Sequence, residues 1–500
     1  MRRLILLLTV AAAGSAWPSA AVAQGYRVRV DTRLQSVAYR GLAVDSIPIA
    51  DTVATAGGGV QTADGFAVRC QADGFCRYFR PDSALRGGPL VSSVDLSLWG
   101  LGIPGLRVRA KGRVSAELGD PDVWPGADPT LQLLEGYAEY SQRYLTVQAG
   151  RTFFLSRLGY TQLDGATVEL RPVGRWARLM GYAGWGLQPG APLPVTGSEL
   201  NPLDEYRPSE REIVWGGGFN LSGRGAYLRG VYRRSVNTAG DFLVSERVAG
   251  DAQLSLGPGI ALSGGGDYDL VRGLWGTGEA QLSYVAPRSS LQLTVGGRRY
   301  RPYFDLWTIW GAFSPVAYSS AYATGQVRVV RGISLRGRGE LYDYDDAEAL
   351  TPLVQTEDDG WRWSLGATVT RFTGWVFQFG HHVEHGPGAA SLGWEGLVAF
   401  RPESSLGILA HGSWMKRPLE YRFDDAKVVS YGLRADYRYS SRLTAFAEAR
   451  RYDELRRRDD AAQLDWDQLR LYLGATVAFG SGADTGGLHP AILRIPDSRR

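Results

Sequence analysis

The sequence predicts an all-β chain folded as a single transmembrane, antiparallel, up-and-down β-barrel of about 22 strands (between about 20 and 24), with no large plug domain. Three observations predict it. Apolar and polar residues alternate with a period of two in segments about 12 residues long. Past residue 24 there is no apolar run of the roughly 18 residues a membrane helix needs, and no long 3.6-residue pattern. The links between segments are, around most of the chain, alternately short and long.

The chain has 500 residues, of which 65 are Gly, and 44% are hydrophobic. Glycine is therefore well above its usual share of about 7%, and the hydrophobic content excludes wholesale disorder. Lys and Arg number 55 against 51 Asp and Glu. Only Lys111, Lys416 and Lys427 are lysine. A formal net charge of +4 over this length gives no nucleic-acid signal, and nothing in the sequence calls for a cofactor.

In order along the chain, Arg2 and Arg3 precede an apolar run from Leu4 to Gly14, and Ala21-Val22-Ala23 follows. This pattern predicts a signal peptide over 1–23, removed before Gln24. The barrel is expected over 24–480. Within it, 40–88 reads as a long extracellular or pore-inserted loop. Cys70 and Cys76 flank the turn pair Asp73-Gly74 and predict a hairpin disulfide, which export permits.

The strands follow. In 106–118, Val108, Ala110, Val114 and Ala116 oppose Arg107, Arg109, Arg113 and Glu117. Segment 331–344 sets Ile333, Leu335 and Leu341 against Arg336, Arg338 and Glu340. In 427–438, Val429, Tyr431, Leu433 and Ala435 oppose Arg434 and Asp436, and in 467–479 a row of leucines opposes Arg470. Twelve residues at ~3.3 Å each, tilted by ~40°, rise about 30 Å, which matches the ~25 Å apolar band of a membrane barrel. The charged face excludes a dry inter-sheet core. Short links such as 142–143, 223–224, 257–258 and 440–441 alternate with long ones such as 188–211, 304–315 and 417–426. Three short ones, 156–159 among them, fall on the long side. An even strand number puts both termini at one end, expected to be periplasmic.

At the last strand, Tyr472, Gly474, Val477 and Phe479 resemble the assembly signal of Gram-negative outer-membrane β-barrels. The resemblance is to that porin-like superfamily and to no narrower family. It implies residence in the bacterial outer membrane, contact with its lipid, and recognition by the barrel-assembly machinery. Residues 481–500 follow the signal and are expected to form a periplasmic C-terminal tail. TonB-dependent transporters carry a folded plug ahead of the first strand, which this sequence has no room for before Tyr26. Aromatic residues such as Trp361, Trp375, Phe379 and Trp394 fall on apolar faces, as interfacial girdles require.

A sheet of about 22 strands closes around a lumen near 40 Å across between backbones, too wide for side chains to fill. Its candidate pore-lining residues are Arg107, Arg109, Arg113, Glu117, Glu135, Glu139, Arg336, Arg338, Glu340, Arg434, Asp436 and Arg470. The two signs nearly balance. Arg151 and Asp164 fall opposite each other in a hairpin centred between residues 157 and 158. They are expected to form a structural pair, turned inward by a bulge near Gly150 and Gly165. His381, His382, Glu384 and His385 spell an inverted zinc-protease pattern, but the surrounding alternation is that of a strand, so no metal site is predicted. The aromatic stretch 304–315 is a candidate constriction. No Ser, His and acid align on one face, so the chain is not expected to be an enzyme.

The function expected is porin-like: passive diffusion of small polar solutes. The alternative is a structural or partner-holding barrel, a sheath for another protein. A homo-oligomer or an inserted partner protein is compatible with either.

Overall fold

The structure is a computed structural model and describes residues 25–54, 60–64, 66, 68–119, 130–172, 176–187, 212–237, 243–287, 290–301, 317–345, 359–386, 389–416, 427–455 and 466–481. The expected signal peptide, the stretch 304–315 and the tail beyond Ser481 lie outside the described residues.

The strands begin with β1 (Gly25–Pro48), β2 (Val53–Ala54), β3 (Val60–Gln61), β4 (Arg69–Cys70), β5 (Phe75–Gly87), β6 (Pro89–Trp99), β7 (Leu106–Glu117) and β8 (Leu131–Ser141). Next come β9 (Leu145–Ser156), β10 (Gly159–Leu170), β11 (Ala177–Gly186), β12 (Glu212–Gly223), β13 (Ala226–Asn237), β14 (Leu243–Gly257), β15 (Ile260–Asp269), β16 (Leu274–Val285) and β17 (Gln292–Tyr300). The remainder are β18 (Tyr318–Val330), β19 (Ile333–Tyr344), β20 (Asp359–Val369), β21 (Trp375–Gly386), β22 (Ala389–Phe400), β23 (Leu406–Lys416), β24 (Lys427–Arg438), β25 (Leu443–Leu455) and β26 (Trp466–Gly480).

From β6 to β26 each strand pairs antiparallel with the next. β1 closes the ring, with Arg27 opposite Ser97 of β6 on one side and Gly480 of β26 on the other. β1 and the 21 strands from β6 to β26 make a closed barrel of 22. Closure matters because in lipid every backbone donor and acceptor must be met within the protein, and a ring has no open edge.

Burial is inverted relative to a soluble protein. On β19, Leu341 is 67% exposed and its neighbour Glu340 only 3%. On β26, Leu469, Leu471, Leu473 and Phe479 are exposed while Gln468 is buried. The apolar rows face outward, where lipid replaces water, and the charged rows face the lumen. Rings cluster on the outer face, with Trp375 stacked on Phe400 at 4.1 Å and Phe379 beside Trp394 at 5.3 Å. On the inner face, strand glycines make room for rings. Gly474 faces Phe446 across β25–β26, and a Cβ there would lie 2.2 Å from the ring.

The stretch 40–88 departs from the expected loop. Its described residues are largely strand. At Val37, opposite both Gly87 and Arg470, β1 leaves β26 and runs on with β5 as a two-stranded ribbon to Pro48 opposite Phe75. The ribbon stands beyond the rim opposite the one that holds Gly25 and Gly480. A register shift between Arg40 and Leu42 lies opposite Pro81, which cannot donate to the ladder and is tolerated at such an irregularity. At the tip, β2 pairs with β3, and a disulfide joins Cys70 to Cys76.

Candidate functional site: the lumen wall and an inward hairpin

β9 and β10 stay in unbroken register from Leu145 opposite Leu170 to Ser156 opposite Gly159. Their hairpin nevertheless leaves the wall before its tip. Pairing with β8 stops at Arg151 opposite Gly136, and pairing with β11 stops at Leu163 opposite Gly186. Beyond those points the hairpin lies on the inner face of β11 to β16. Phe154 packs on Tyr182 at 4.3 Å, and Leu163 packs with Tyr182 and Val214. Leu158, at the tip, packs with Val231 and Ala249. The Arg157 guanidinium donates to Asp251 of β14 at 2.6 Å and to Glu279 of β16 at 2.7 Å. Arg229 donates to the Leu155 carbonyl at 3.1 Å. Val231, Ala249, Asp251 and Glu279 alternate with the exposed Leu228, Leu254 and Leu282, so these contacts are inside the barrel.

The local sequence explains the fold. Phe153, Phe154 and Leu155 are consecutive apolar residues, so neither face of this hairpin is a wet wall. Folding inward covers Phe154, Leu158 and Leu163. It leaves Phe153, Leu155 and Tyr160 on the other face, 45%, 70% and 48% exposed toward the lumen.

The base of the hairpin holds Arg151 and Asp164. Arg151 Nε and Nη2 each donate to the Asp164 carboxylate at 2.7 Å, a bidentate pair. Arg151 Nη1 also donates to the Leu133 carbonyl at 2.7 Å, and Gln162 Nε2 to the Leu134 carbonyl at 2.7 Å. These side chains meet acceptors on β8 where the departing β9 no longer pairs. Gly150 has φ +127°, and a Cβ there would lie 2.2 Å from the Gly136 carbonyl oxygen. Only glycine suits this position. The register shift in this region lies between β7 and β8, at Lys111 and Gly112, while the β9–β10 register runs unbroken through Gly150 and Gly165.

Around the rest of the wall, inner charges form short networks. Glu340 accepts from Arg298 at 2.8 Å, Arg338 at 2.8 Å, and Arg362 at 3.0 and 2.9 Å. Arg362 also reaches Glu384 at 3.5 Å. Arg109 bridges Asp95 at 3.2 Å and Glu135 at 3.3 Å, and Arg107 approaches Glu139 at 4.0 Å. Arg434 pairs with Asp436 at 2.7 Å and Glu448 at 3.4 Å, with its guanidinium 4.0 Å from the Phe446 ring centre. Arg113 donates to Gln132 at 3.0 Å, Arg470 donates to Gln468, and Arg336 lies 3.9 Å from Glu395. Glu117 stands instead at the rim. Its carboxylate accepts from the backbone amides of Gly88 at 2.5 Å and Gly119 at 2.6 Å, where β5 gives way to β6.

This is a closed, antiparallel barrel with a charged lumen and an apolar exterior. Its fold is a closed 22-strand antiparallel β-barrel of the transmembrane kind. Among solved structures, a mutant of the ferric enterobactin receptor PfeA from Pseudomonas aeruginosa is 12% identical with a TM-score of 0.55, covering 90% of this chain and 80% of that one. A BenF-like porin from Pseudomonas fluorescens Pf-5 is 8% identical, with a TM-score of 0.42 over 92% of this chain and 100% of the porin. Acinetobacter baumannii OccAB2 is 8% identical, with a TM-score of 0.41 over 93% and 100%. No protein-family model matches, and no curated protein does.

In this barrel the residues that resemble an assembly signal lie on β26, with Val477 and Phe479 outward and Tyr472 and Gly474 inward. The histidine motif lies on β21 and is split by its pleat. His381 stacks on Trp394 outside at 3.6 Å, while Glu384 pairs with Arg362 inside. Among the described residues no group of three potential ligands could hold a metal. Sequence reasoning missed Arg157, Asp251, Glu279, Arg298 and Arg362. The short link 156–159, placed where a long loop was expected, was the signal that marked Arg157.

Proposed function

We propose that the barrel is an outer-membrane channel for passive diffusion of small polar solutes, with no chemical step and no energy source. One observation supports this above the others: the inner face of the 22-strand ring is charged and polar around its circumference, as a water-filled lumen requires. Such a ring is near 40 Å across between backbones, so side chains alone leave it open. The inward β9–β10 hairpin narrows it on one side. Both termini are taken as periplasmic and the ribbon as extracellular.

Single-channel recording on the purified protein in planar bilayers tests the reading. Stable open conductance that scales with salt is the expected result. Persistent silence, with a second chain co-purifying in fixed ratio, would replace it with the partner-holding barrel.

A further inference from the structure

We propose that the β9–β10 hairpin is a gate with two seats. One is the inward seat described above. The other is an upright seat in which the hairpin completes the wall beside β8.

β8 offers the second seat ready-made. Its residues Leu131–Glu135 are strand and pair with β7, yet β9 leaves β8 at Arg151 opposite Gly136. Carrying that register onward, with Leu134 as the extra residue that the β7–β8 register shift marks, sets Thr152 opposite Glu135, Phe153 opposite Leu133 and Leu155 opposite Leu131. The acceptors at this edge, the Leu133 and Leu134 carbonyls, are held by the side chains of Arg151 and Gln162, which can let go as backbone amides arrive.

The faces also fit. Phe153, Leu155 and Tyr160 share the alternation of the outer rows, but the inward seat exposes them to the lumen. Standing upright, they would join the lipid-facing belt beside Leu131 and Leu133, which are also exposed. In exchange, Phe154 and Leu158 would lose their cover on the inner wall. Beyond these, the inward seat rests on one guanidinium between two carboxylates, on Leu163 packed with Tyr182 and Val214, and on hydrogen bonds from Arg229 to the Leu155 carbonyl and from Arg233 to the Thr161 hydroxyl. Two seats of comparable strength are the condition for both to be populated. Arg157 acts as the latch, and Gly150, at φ +127°, marks the turning point.

Cross-linking tests the proposal in the full-length protein, with Cys70→Ser and Cys76→Ser as background. One variant carries Leu158→Cys and Val231→Cys, which reports the inward seat. Ala249→Cys can replace Val231→Cys if the first pair does not fold. A second variant carries Leu155→Cys and Leu131→Cys, which would face each other only upright, within disulfide reach. After mild oxidation, mass spectrometry of peptides is expected to find each cross-link in its own variant. Adding Arg157→Gln should raise the rate of the upright one several-fold. A hairpin layer ~10 Å thick takes up roughly a third of the free bore, so the upright-locked channel should conduct about 1.5-fold more than the inward-locked one. The gate is overturned if the upright cross-link stays absent under conditions that complete the inward one. Both cross-links in a protein that never conducts would uphold the gate while sinking the channel reading on which its conductance effect rests.

Discussion

At the scale of single residues, the lumen separates ion pairs that hold the wall from pairs that only decorate it. Glu340 is enclosed by Arg298, Arg338 and Arg362, and its side chain has no exposed surface. Removing its charge leaves three guanidiniums with only Glu384, 3.5 Å from Arg362, to offset them, and breaking such a buried network costs about 3 kcal/mol. Glu340→Gln should therefore lower the denaturant midpoint of the barrel in detergent by a matching amount. The contrast is Glu395, 3.9 Å from Arg336, with side chains 62% and 69% exposed. Exposed pairs contribute about 0–1 kcal/mol, so Glu395→Gln should leave the midpoint nearly unmoved. Equal losses in the two variants would show that burial does not rank these pairs. Glu340 was legible as an inner-face residue from alternation alone. That it gathers three arginines was not, because only Arg338 is its neighbour along β19, while Arg298 and Arg362 reach it across strands from β17 and β20.

At the scale of elements, two hairpins leave the ring in opposite directions, and each left a different trace in the sequence. The ribbon of β1 and β5 reads as a loop because Pro81 and the Gly41 region break its alternation, although the pairing register carries through with a single shift. The β9–β10 hairpin reads as ordinary wall because its register is unbroken. Its inward turn depends on Asp251 and Glu279, about 100 residues away, and local periodicity cannot report contacts at that distance. The ribbon gives a direct prediction. It pairs beyond Val37 only with itself, so the barrel does not lean on its tip. Cys70 and Cys76 close a loop with a sequence separation of 6, the kind of short closure that constrains the unfolded chain least. Cys70→Ser with Cys76→Ser should leave the unfolding midpoint of the barrel within about 0.5 kcal/mol of the parent. It should also speed tryptic cleavage after Arg69 and Arg77. A large fall in the midpoint would mean that the tip braces the ring.

At the scale of the whole molecule, alternation along each strand sorts apolar from charged residues without any segregated core, and this is why the barrel itself was readable before any contact was known. Charge selectivity is a property of the same scale. The inner face interleaves its signs: Arg109 sits between Asp95 and Glu135, Arg157 between Asp251 and Glu279, and Arg434 beside Asp436 and Glu448. A permeating ion therefore passes neighbouring charges of both signs at each of these clusters. At ordinary salt, fields reach only ~8–10 Å into the water-filled bore, so opposite charges a few ångströms apart cancel before they reach its axis. A perfectly selective pore in a tenfold gradient of potassium chloride would give a reversal potential of ~59 mV. This barrel should give less than about a third of that, of either sign, with a modest increase as the salt is diluted and the screening length grows. Arg157→Glu would place a third carboxylate beside Asp251 and Glu279. It should move the reversal potential toward cation preference while the Glu395→Gln channel stays near the parent value. A parent reversal potential above half the ideal would mean that one sign dominates the bore, through wall residues or through loops outside the described strands.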